Sequence, residues 1–202
     1  MVISFPAVGE VYRFTDKNGA ALSGVIAFPT QGEGNNAFTP QIHVMDQVNR
    51  QFKPNLLLIS AGDNVSFPNS DSIRHHVYSF SSVRSFDIEL YGNSETPTLD
   101  FPNSGLVIVG CNIHDDMIGF IVVSANGEFY QSNNLGELEL PAEIRKDEWY
   151  VWHPWMAAAG YPPVLLTELS ASEPHQFNVQ APEERVQSDL ESRFRRRLHR
   201  GH

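Results

Sequence analysis

Short apolar runs, each closed by a turn, most constrain the fold of the segment between residues 41 and 124. Clear examples are the runs at 56–60, 106–113 and 117–124, which are shorter than a typical helix. β-branched and aromatic residues fill these runs, and Gly, Pro, Asn and Asp separate them. About seven such strands with turns between them predict an all-β fold, a β-sandwich with Greek-key connections.

Charge and hydropathy narrow the classes of function. The formal net charge of −10 argues against a nucleic-acid partner and favours a basic or metal-bearing one. No run of about 18 apolar residues is present, so we expect no membrane-spanning helix. Residues 1–6 lack the basic start and apolar core of a signal peptide. We therefore expect either a cytoplasmic protein or one whose leader precedes this sequence.

A thiol, an imidazole and a thioether lie within seven residues, between two apolar strands. They belong to Cys111, His114 and Met117, and Cys111 is the single cysteine of the chain. A loop that joins two strand ends can turn all three side chains toward one point. Soft sulfur ligands combined with imidazole suit copper, and two histidines, one cysteine and a weak axial methionine form a blue-copper site.

The second histidine of such a site has to come from elsewhere in the chain. His75 and His76 begin an apolar strand, and side chains alternate along a strand, so only one of the two faces the metal. His75 shares its face with Val77, and we assign it as the ligand. The sequence thus predicts one mononuclear copper site per chain, with His75, Cys111, His114 and Met117 as ligands.

The residues around these ligands resemble the cupredoxins. Residues 62–77 are similar to the strand that leads to their first copper histidine, and the 111–117 spacing resembles the short ligand loop of amicyanin. Residues 41–124 as a whole resemble a plastocyanin-like bacterial family labelled methylamine utilisation proteins. The resemblance implies a cupredoxin β-sandwich with a type 1 (blue) copper ion, and an electron carrier rather than an enzyme.

The same resemblance implies a role for individual residues. His75 would be buried and oriented through its second ring nitrogen, whereas His114 would be the electron port. Asp115 and Asp116 flank this port, and at Asp116 the family has an aromatic residue. We therefore expect a transient redox partner with a basic docking surface. Cupredoxins work mostly in the periplasm, so the resemblance implies a periplasmic protein whose signal peptide is absent from this sequence.

The flanking segments resemble the two ends of a transthyretin-like sandwich. Residues 1–38 and 125–180 would then form an accessory β-sandwich, with the cupredoxin domain of residues 39–124 inserted between them. The alternative is that both flanks add extra strands to the cupredoxin sheets. Residues 181–202 form a charged tail that is expected to be helical or disordered.

Local patterns add three expectations. A turn at 17–19 separates two strands within residues 9–28, and a second turn at 133–136 lies between the strands of a predicted hairpin. In the tail, three apolar residues recur at the spacing of one helical face, namely Leu190, Phe194 and Leu198.

Two other functions are compatible with the same residues. A copper chaperone or storage protein would bind the metal in order to pass it on, although the four methionines of this chain do not cluster. A metal-free β-sandwich would instead present its loops to a protein partner. Copper binding and the spectrum of the copper-loaded protein distinguish the three.

Overall fold

The structure of the protein, a computed structural model, describes residues 9–31, 39–114 and 116–181. These residues form 17 β-strands, one α-helix and one 3-10 helix, so the predicted all-β class is confirmed. The strands are β1 (Glu10–Thr15), β2 (Ile26–Pro29), β3 (Ile42–Val44), β4 (Asp46–Gln47), β5 (Phe52–Lys53), β6 (Leu56–Ser60), β7 (Asn64–Ser66), β8 (His75–Ser81), β9 (Arg84–Tyr91), β10 (Thr98–Asp100), β11 (Gly105–Cys111), β12 (Ile118–Ser124), β13 (Tyr130–Gln131), β14 (Glu137–Leu140), β15 (Trp149–Trp152), β16 (Val164–Leu165) and β17 (His175–Gln176). The α-helix, α1, spans Pro154–Ala158, and the 3-10 helix spans Leu166–Glu168.

Five strands form the largest sheet, which we call the central sheet, in the order β6-β12-β11-β8-β9. β6 runs parallel to β12, and the other neighbours are antiparallel. A three-stranded sheet, β10-β7-β3, contributes to the same core through buried residues such as Val65, which packs with Val107 and Ile121 of the central sheet. Two sheets that enclose one core are consistent with a cupredoxin β-sandwich.

Strand β12 is apolar on both faces of the central sheet. Ile121 and Val123 are buried in the core shared with the three-stranded sheet, whereas Val122 and Phe120 contribute to a second core on the opposite side. Successive side chains of a strand point to opposite faces, so an unbroken apolar run supplies both cores. The central sheet therefore lies between two layers.

Two further sheets, which we call the accessory sheets, enclose the second core. Their strand orders are β14-β1-β17 and β13-β2-β15-β16. In the part of the chain that the structure describes, these strands form ladders with one another and none with the central sheet. Large buried side chains dominate their core, among them Tyr12, Phe28 and Trp152. The division into an accessory sandwich of residues 1–38 and 125–180 around an inserted cupredoxin domain of residues 39–124 remains a prediction.

Both predicted turns are present, but the strands beside them are not paired as hairpins. The carboxylate of Asp16 accepts hydrogen bonds from the backbone amides of Asn18 and Ala20, at 2.8 and 2.9 Å. Beyond this turn β2 joins the other accessory sheet, and β13 and β14 are likewise paired with different strands. The predicted hairpin around 133–136 is therefore wrong, because the chain crosses there from one sheet to the other. Alternation of apolar and polar residues predicts that a segment is a strand, but it does not specify which other strand the segment pairs with.

Helical structure is short and local. α1 begins after His153, whose Nδ1 accepts a hydrogen bond from the backbone amide of Trp155 at 3.2 Å and so caps the helix. Among the described residues, no helix has both the length and the apolar character needed to cross a membrane. The expectation for the tail of residues 181–202 lies outside the described residues, apart from Ala181.

Candidate metal centre

The loop between β11 and β12 carries three of the four predicted ligands. Cys111 is the last residue of β11, and Met117 directly precedes β12. The backbone amide of Cys111 donates to the carbonyl of Met117 at 3.2 Å, and the amide of Met117 donates to the carbonyl of His114 at 2.9 Å. These two bonds close the connection between the antiparallel strands into a tight loop.

The fourth predicted ligand, His75, is the first residue of β8, the neighbour of β11. Cys111 is paired with Val77 in the antiparallel ladder, and the amide of Asn112 donates to the carbonyl of His76 at 3.2 Å. An irregularity in the β8–β9 ladder lies between His75 and Val77. Strand pairing therefore brings together two segments that are 36 residues apart in sequence.

Three donor atoms converge at this point. The Sγ atom of Cys111 lies 3.7 Å from Nδ1 of His75 and 3.9 Å from Nδ1 of His114, and the donor atoms of the three residues lie within 4.8 Å of one another. A metal with bonds of about 2.3 Å to sulfur and about 2.0 Å to nitrogen, at trigonal angles, would place the sulfur about 3.7 Å from each nitrogen. The spacing of the side chains thus fits a single small metal ion.

The ring of His75 is fully buried and is held from its far side. Its Nε2 atom lies 2.8 Å from Oδ2 of Asp71. Because an ionised carboxylate only accepts hydrogen bonds, Nε2 carries the ring proton and Nδ1 keeps its lone pair toward Cys111. Burial alone would raise the pKa of Asp71, but hydrogen bonds from the Arg50 amide, the His75 ring and the Asn49 amide outweigh it and lower the pKa.

A buried amide side chain, that of Asn69, organises the loop before His75. Its Nδ2 atom donates to the carbonyl of Ile73 at 2.9 Å and to the carbonyl of Tyr91 at 3.1 Å. Its Oδ1 atom accepts from the backbone amide of Asp71 at 3.0 Å. One side chain therefore fixes both the segment that carries the carboxylate and the strand paired with His75.

Exposure differs among the predicted ligands. His75, Cys111 and Met117 are buried, and the ring of His114 is partly exposed. Met117 lies in the same core as Cys111. Asp115 lies outside the described residues, whereas Asp116 is exposed. His114 is thus the donor closest to solvent.

The other described histidines lie apart from this cluster and have structural partners. His43 contacts the buried carboxylate of Asp63 at 2.9 Å, and His76, on the opposite face from His75, is hydrogen-bonded to Asp87. Burial lowers the pKa of His153 to about 4, against the opposing effect of its hydrogen bond to the Ser23 carbonyl. Among the described residues, His75, Cys111 and His114 form the one group of three or more His, Cys, Asp or Glu side chains whose donor atoms are close enough to share a metal ion.

The sequence interpretation assigned no role to Asp71 or Asn69. Both belong to a short polar stretch before His75. The position of Asp71, four residues before a proposed histidine ligand, could have indicated its role. A histidine that binds a metal through one ring nitrogen usually donates the hydrogen on its other ring nitrogen to a carboxylate or carbonyl. The amide of Asn69 gave no comparable signal, since its partners are backbone carbonyls.

No protein-family model matches the chain, and no curated protein matches it. Similar solved structures include the copper-containing nitrite reductase from Thermus scotoductus, at 26% identity and a TM-score of 0.40, over 47% of this chain and 25% of the reductase. A copper(I) amicyanin variant matches 41% of this chain and 82% of its own, at 21% identity and a TM-score of 0.39. The purple cupredoxin from Nitrosopumilus maritimus matches 43% of this chain and 100% of its own, at 21% identity and a TM-score of 0.37.

Two of these neighbours, amicyanin and the purple cupredoxin, are of the kind of protein that residues 41–124 resemble. Each of the three overlaps covers less than half of this chain, and the chain spans about a quarter of the nitrite reductase.

Proposed function

We propose that this chain binds one copper ion through His75, Cys111 and His114, with Met117 as a fourth, weaker ligand, and carries single electrons between redox partners. The observation that supports this function is the convergence of one thiol and two imidazole nitrogens within 4.8 Å. When bound, copper supplies a one-electron couple between its two oxidation states. The thiolate and thioether select copper over metals that prefer oxygen ligands.

The residues of the chain hold this donor set in one arrangement. Asp71 fixes the tautomer and the orientation of the His75 ring, and the sheet pairing fixes Cys111 beside it. Because ligands held by a packed β-sandwich move little, the geometry would change little on oxidation or reduction. A small rearrangement keeps the barrier to electron transfer low.

The partly exposed ring of His114 provides the route for electrons to a partner. The net charge of −10 and the exposed Asp116, two residues after His114 in the sequence, favour a partner with a basic docking surface. Such an encounter would be small, transient and weakened by salt.

Copper titration followed by visible absorption tests this function. We expect binding of one ion per chain and an intense blue colour in the oxidised form, which disappears on reduction and returns on oxidation without loss of metal. Cys111→Ser should abolish the colour, whereas His76→Gln, which alters the neighbouring histidine on the opposite face, should leave it unchanged.

Two outcomes of this titration would favour the alternative functions. Release of copper at each reduction would favour delivery or storage of the metal. An affinity for copper that is unchanged by Cys111→Ser would favour a metal-free interaction module.

The cellular location is part of the same proposal. We place the protein in the periplasm, on the basis of its resemblance to the cupredoxins. Cell fractionation of the natural gene product, together with sequencing of its mature N-terminus, tests this location. Recovery in the cytoplasm with an uncleaved N-terminus would contradict it.

A further inference from the structure

Part of the outer face of the central sheet is apolar and uncovered. Phe80 on β8 is 83% exposed, and Ile108 on β11 and Ile118 on β12 are 40% and 48% exposed. The ring of Tyr78 lies beside that of Phe80, with 5.0 Å between their centroids. We call these four residues the open apolar face.

The same side of the sheet is covered elsewhere. Leu106 and Phe120, which alternate with inward-facing residues on β11 and β12, pack against the core of the accessory sheets. Ile108 is paired with Phe120 in the ladder, so the covered and uncovered parts adjoin. A contiguous apolar patch of this kind marks an interaction surface more often than a chance exposure does.

Three adjoining depressions, which together we call the groove, run from the open apolar face to the last described residues of the protein. The first, beside Tyr78 and Phe80, shares Ile108 with a larger one of about 640 Å³ that is also lined by residues 161–163. A third depression lies on the other side of residues 161–163 and is lined by Asn178 and Val179. Because Asn178 donates a hydrogen bond to the Tyr161 hydroxyl at 3.2 Å, the last described residues lie at one end of this groove.

The segment that follows has a complementary composition. Leu190, Phe194 and Leu198 recur at every fourth position, which places them on one face if the segment is helical. Eight residues lie between Ala181 and Leu190, and the nine steps from one Cα atom to the next span about 30 Å in an extended chain, enough to follow the groove. Basic residues are concentrated around these apolar positions, at Arg193, Arg195, Arg196, Arg197 and Arg200.

The charges near the groove are complementary to these arginines. The three depressions are lined by one charged side chain, the carboxylate of Glu168. Asp87 is paired with Tyr78 in the β8–β9 ladder and is exposed, with one carboxylate oxygen hydrogen-bonded to His76, and Glu89 follows on the same strand. The basic Arg84 of this strand is already paired with Asp100. Acidic groups therefore border the open apolar face.

We infer that residues 190–198 dock on the open apolar face of their own chain, with Leu190, Phe194 and Leu198 against Phe80 and Ile108. The arginines of the segment then lie toward Asp87 and Glu89. This contact requires no metal, so it stands or falls independently of the proposed function.

Hydroxyl-radical footprinting of the metal-free protein tests the contact. The full chain is compared with a chain that ends at Ala181, and labelling of Phe80 is measured against labelling of Leu135, an exposed residue in a distant turn. We expect Phe80 to be labelled several-fold faster in the shortened chain, with Leu135 unchanged. Equal labelling of Phe80 in both chains would overturn the inference.

A peptide of residues 184–202, added to the shortened chain, tests the same contact in trans. We expect its binding, followed by fluorescence anisotropy, to weaken with added salt and to be lost in Phe80→Ser but kept in Leu135→Ser. Equal binding to both variants would overturn the inference. Protection of Phe80 in the full chain that disappears on dilution would also overturn it, because that result assigns the contact to a second copy.

Discussion

The Nε2 atom of His75 lies 2.8 Å from a carboxylate oxygen of Asp71, four residues earlier in the chain. Nδ1 of the same ring lies 3.7 Å from the sulfur of Cys111. One imidazole thus links a carboxylate, itself fixed by backbone amides, to the proposed metal position. The ring is oriented by the fold itself.

Asp71→Asn should weaken copper binding about 10- to 100-fold, as expected when the residue that orients a histidine ligand is lost. The amide is the same size but carries no charge, so it holds the Nε2 proton less strongly. Competition with a chelator measures the change, and Asp87→Asn, at the hydrogen bond of His76, serves as the control. Equal affinity in Asp71→Asn and the unaltered protein would show that the ring is positioned without the carboxylate.

Met117→Leu should preserve copper binding and the blue colour but raise the reduction potential. The thioether donates weakly to copper and stabilises the oxidised ion more than the reduced one. Redox titration of the copper-loaded protein measures the shift. Met45→Leu, at a buried methionine outside the ligand loop, should leave the potential unchanged. A potential unmoved by Met117→Leu would remove Met117 from the ligand set.

Asn69→Ala should lower the free energy of unfolding by about 1–3 kcal/mol, because it removes the amide that donates to two backbone carbonyls, one of them buried. The two carbonyls belong to Ile73 and Tyr91. Urea unfolding of the metal-free protein measures the loss. Asn103→Ala, which removes an exposed side chain with one long hydrogen bond, should cost much less. If both variants lower the free energy of unfolding by the same amount, Asn69 does not organise the loop before His75.

Asp63 should make stability sensitive to acid. Burial alone would raise its pKa, but hydrogen bonds from the Gln41 and Ser60 amides and from His43 outweigh it and hold the pKa below the usual value. A pKa lowered by folding stabilises the protein above the unfolded-state value, and this stabilisation is lost as pH falls through the folded-state value. We therefore expect unfolding free energy to fall below about pH 4, the ordinary range of an aspartate.

Asp63→Asn tests the source of this dependence. Denaturant titrations at neutral pH should show a loss of about 1–3 kcal/mol, and the gap to the unaltered protein should narrow in acid. Asp87→Asn, at an exposed carboxylate, is the matched control. A gap that stays constant with pH would contradict the role assigned to Asp63.

Gly110→Ala should destabilise the protein by about 1–3 kcal/mol through overpacking. A Cβ atom at this position would lie 2.9 Å from Cζ of Tyr78, whereas at Gly92 the nearest atom would be 3.8 Å away, so Gly92→Ala is the control. Replacing Tyr78 by leucine in the same chain should recover much of the loss. A double-mutant cycle measured by urea unfolding gives the coupling, and additive effects would contradict the contact.

The strands of the central sheet could be predicted from local pattern. The apolar runs at 56–60, 106–113 and 117–124 coincide with β6, β11 and β12 to within two residues at each end. These segments are long, apolar and bounded by turn residues, so local preference and tertiary packing agree. The ligand spacing of 111–117 is equally local.

Other features depend on contacts between distant segments, which local pattern does not contain. β13 and β14 follow one another in sequence yet join different sheets. His153, which caps α1, is held by a hydrogen bond to the carbonyl of Ser23, 130 residues away in the sequence. The role of Asp71 became evident only when the loop before β8 had placed it against His75. Tertiary packing, rather than residue preference, decides each of these.

The two cores that meet at β12 connect the accessory sheets to the ligand loop. The ring of Phe120 lies edge-on to Trp152 of the accessory sheets, and Ile121 beside it packs in the core that holds Cys111. A change of volume at Trp152 can therefore shift β12 and, with it, the position of Met117. Substitutions in the accessory sheets would in this way alter the reduction potential of the proposed copper site, although none of its proposed ligands lies in those sheets.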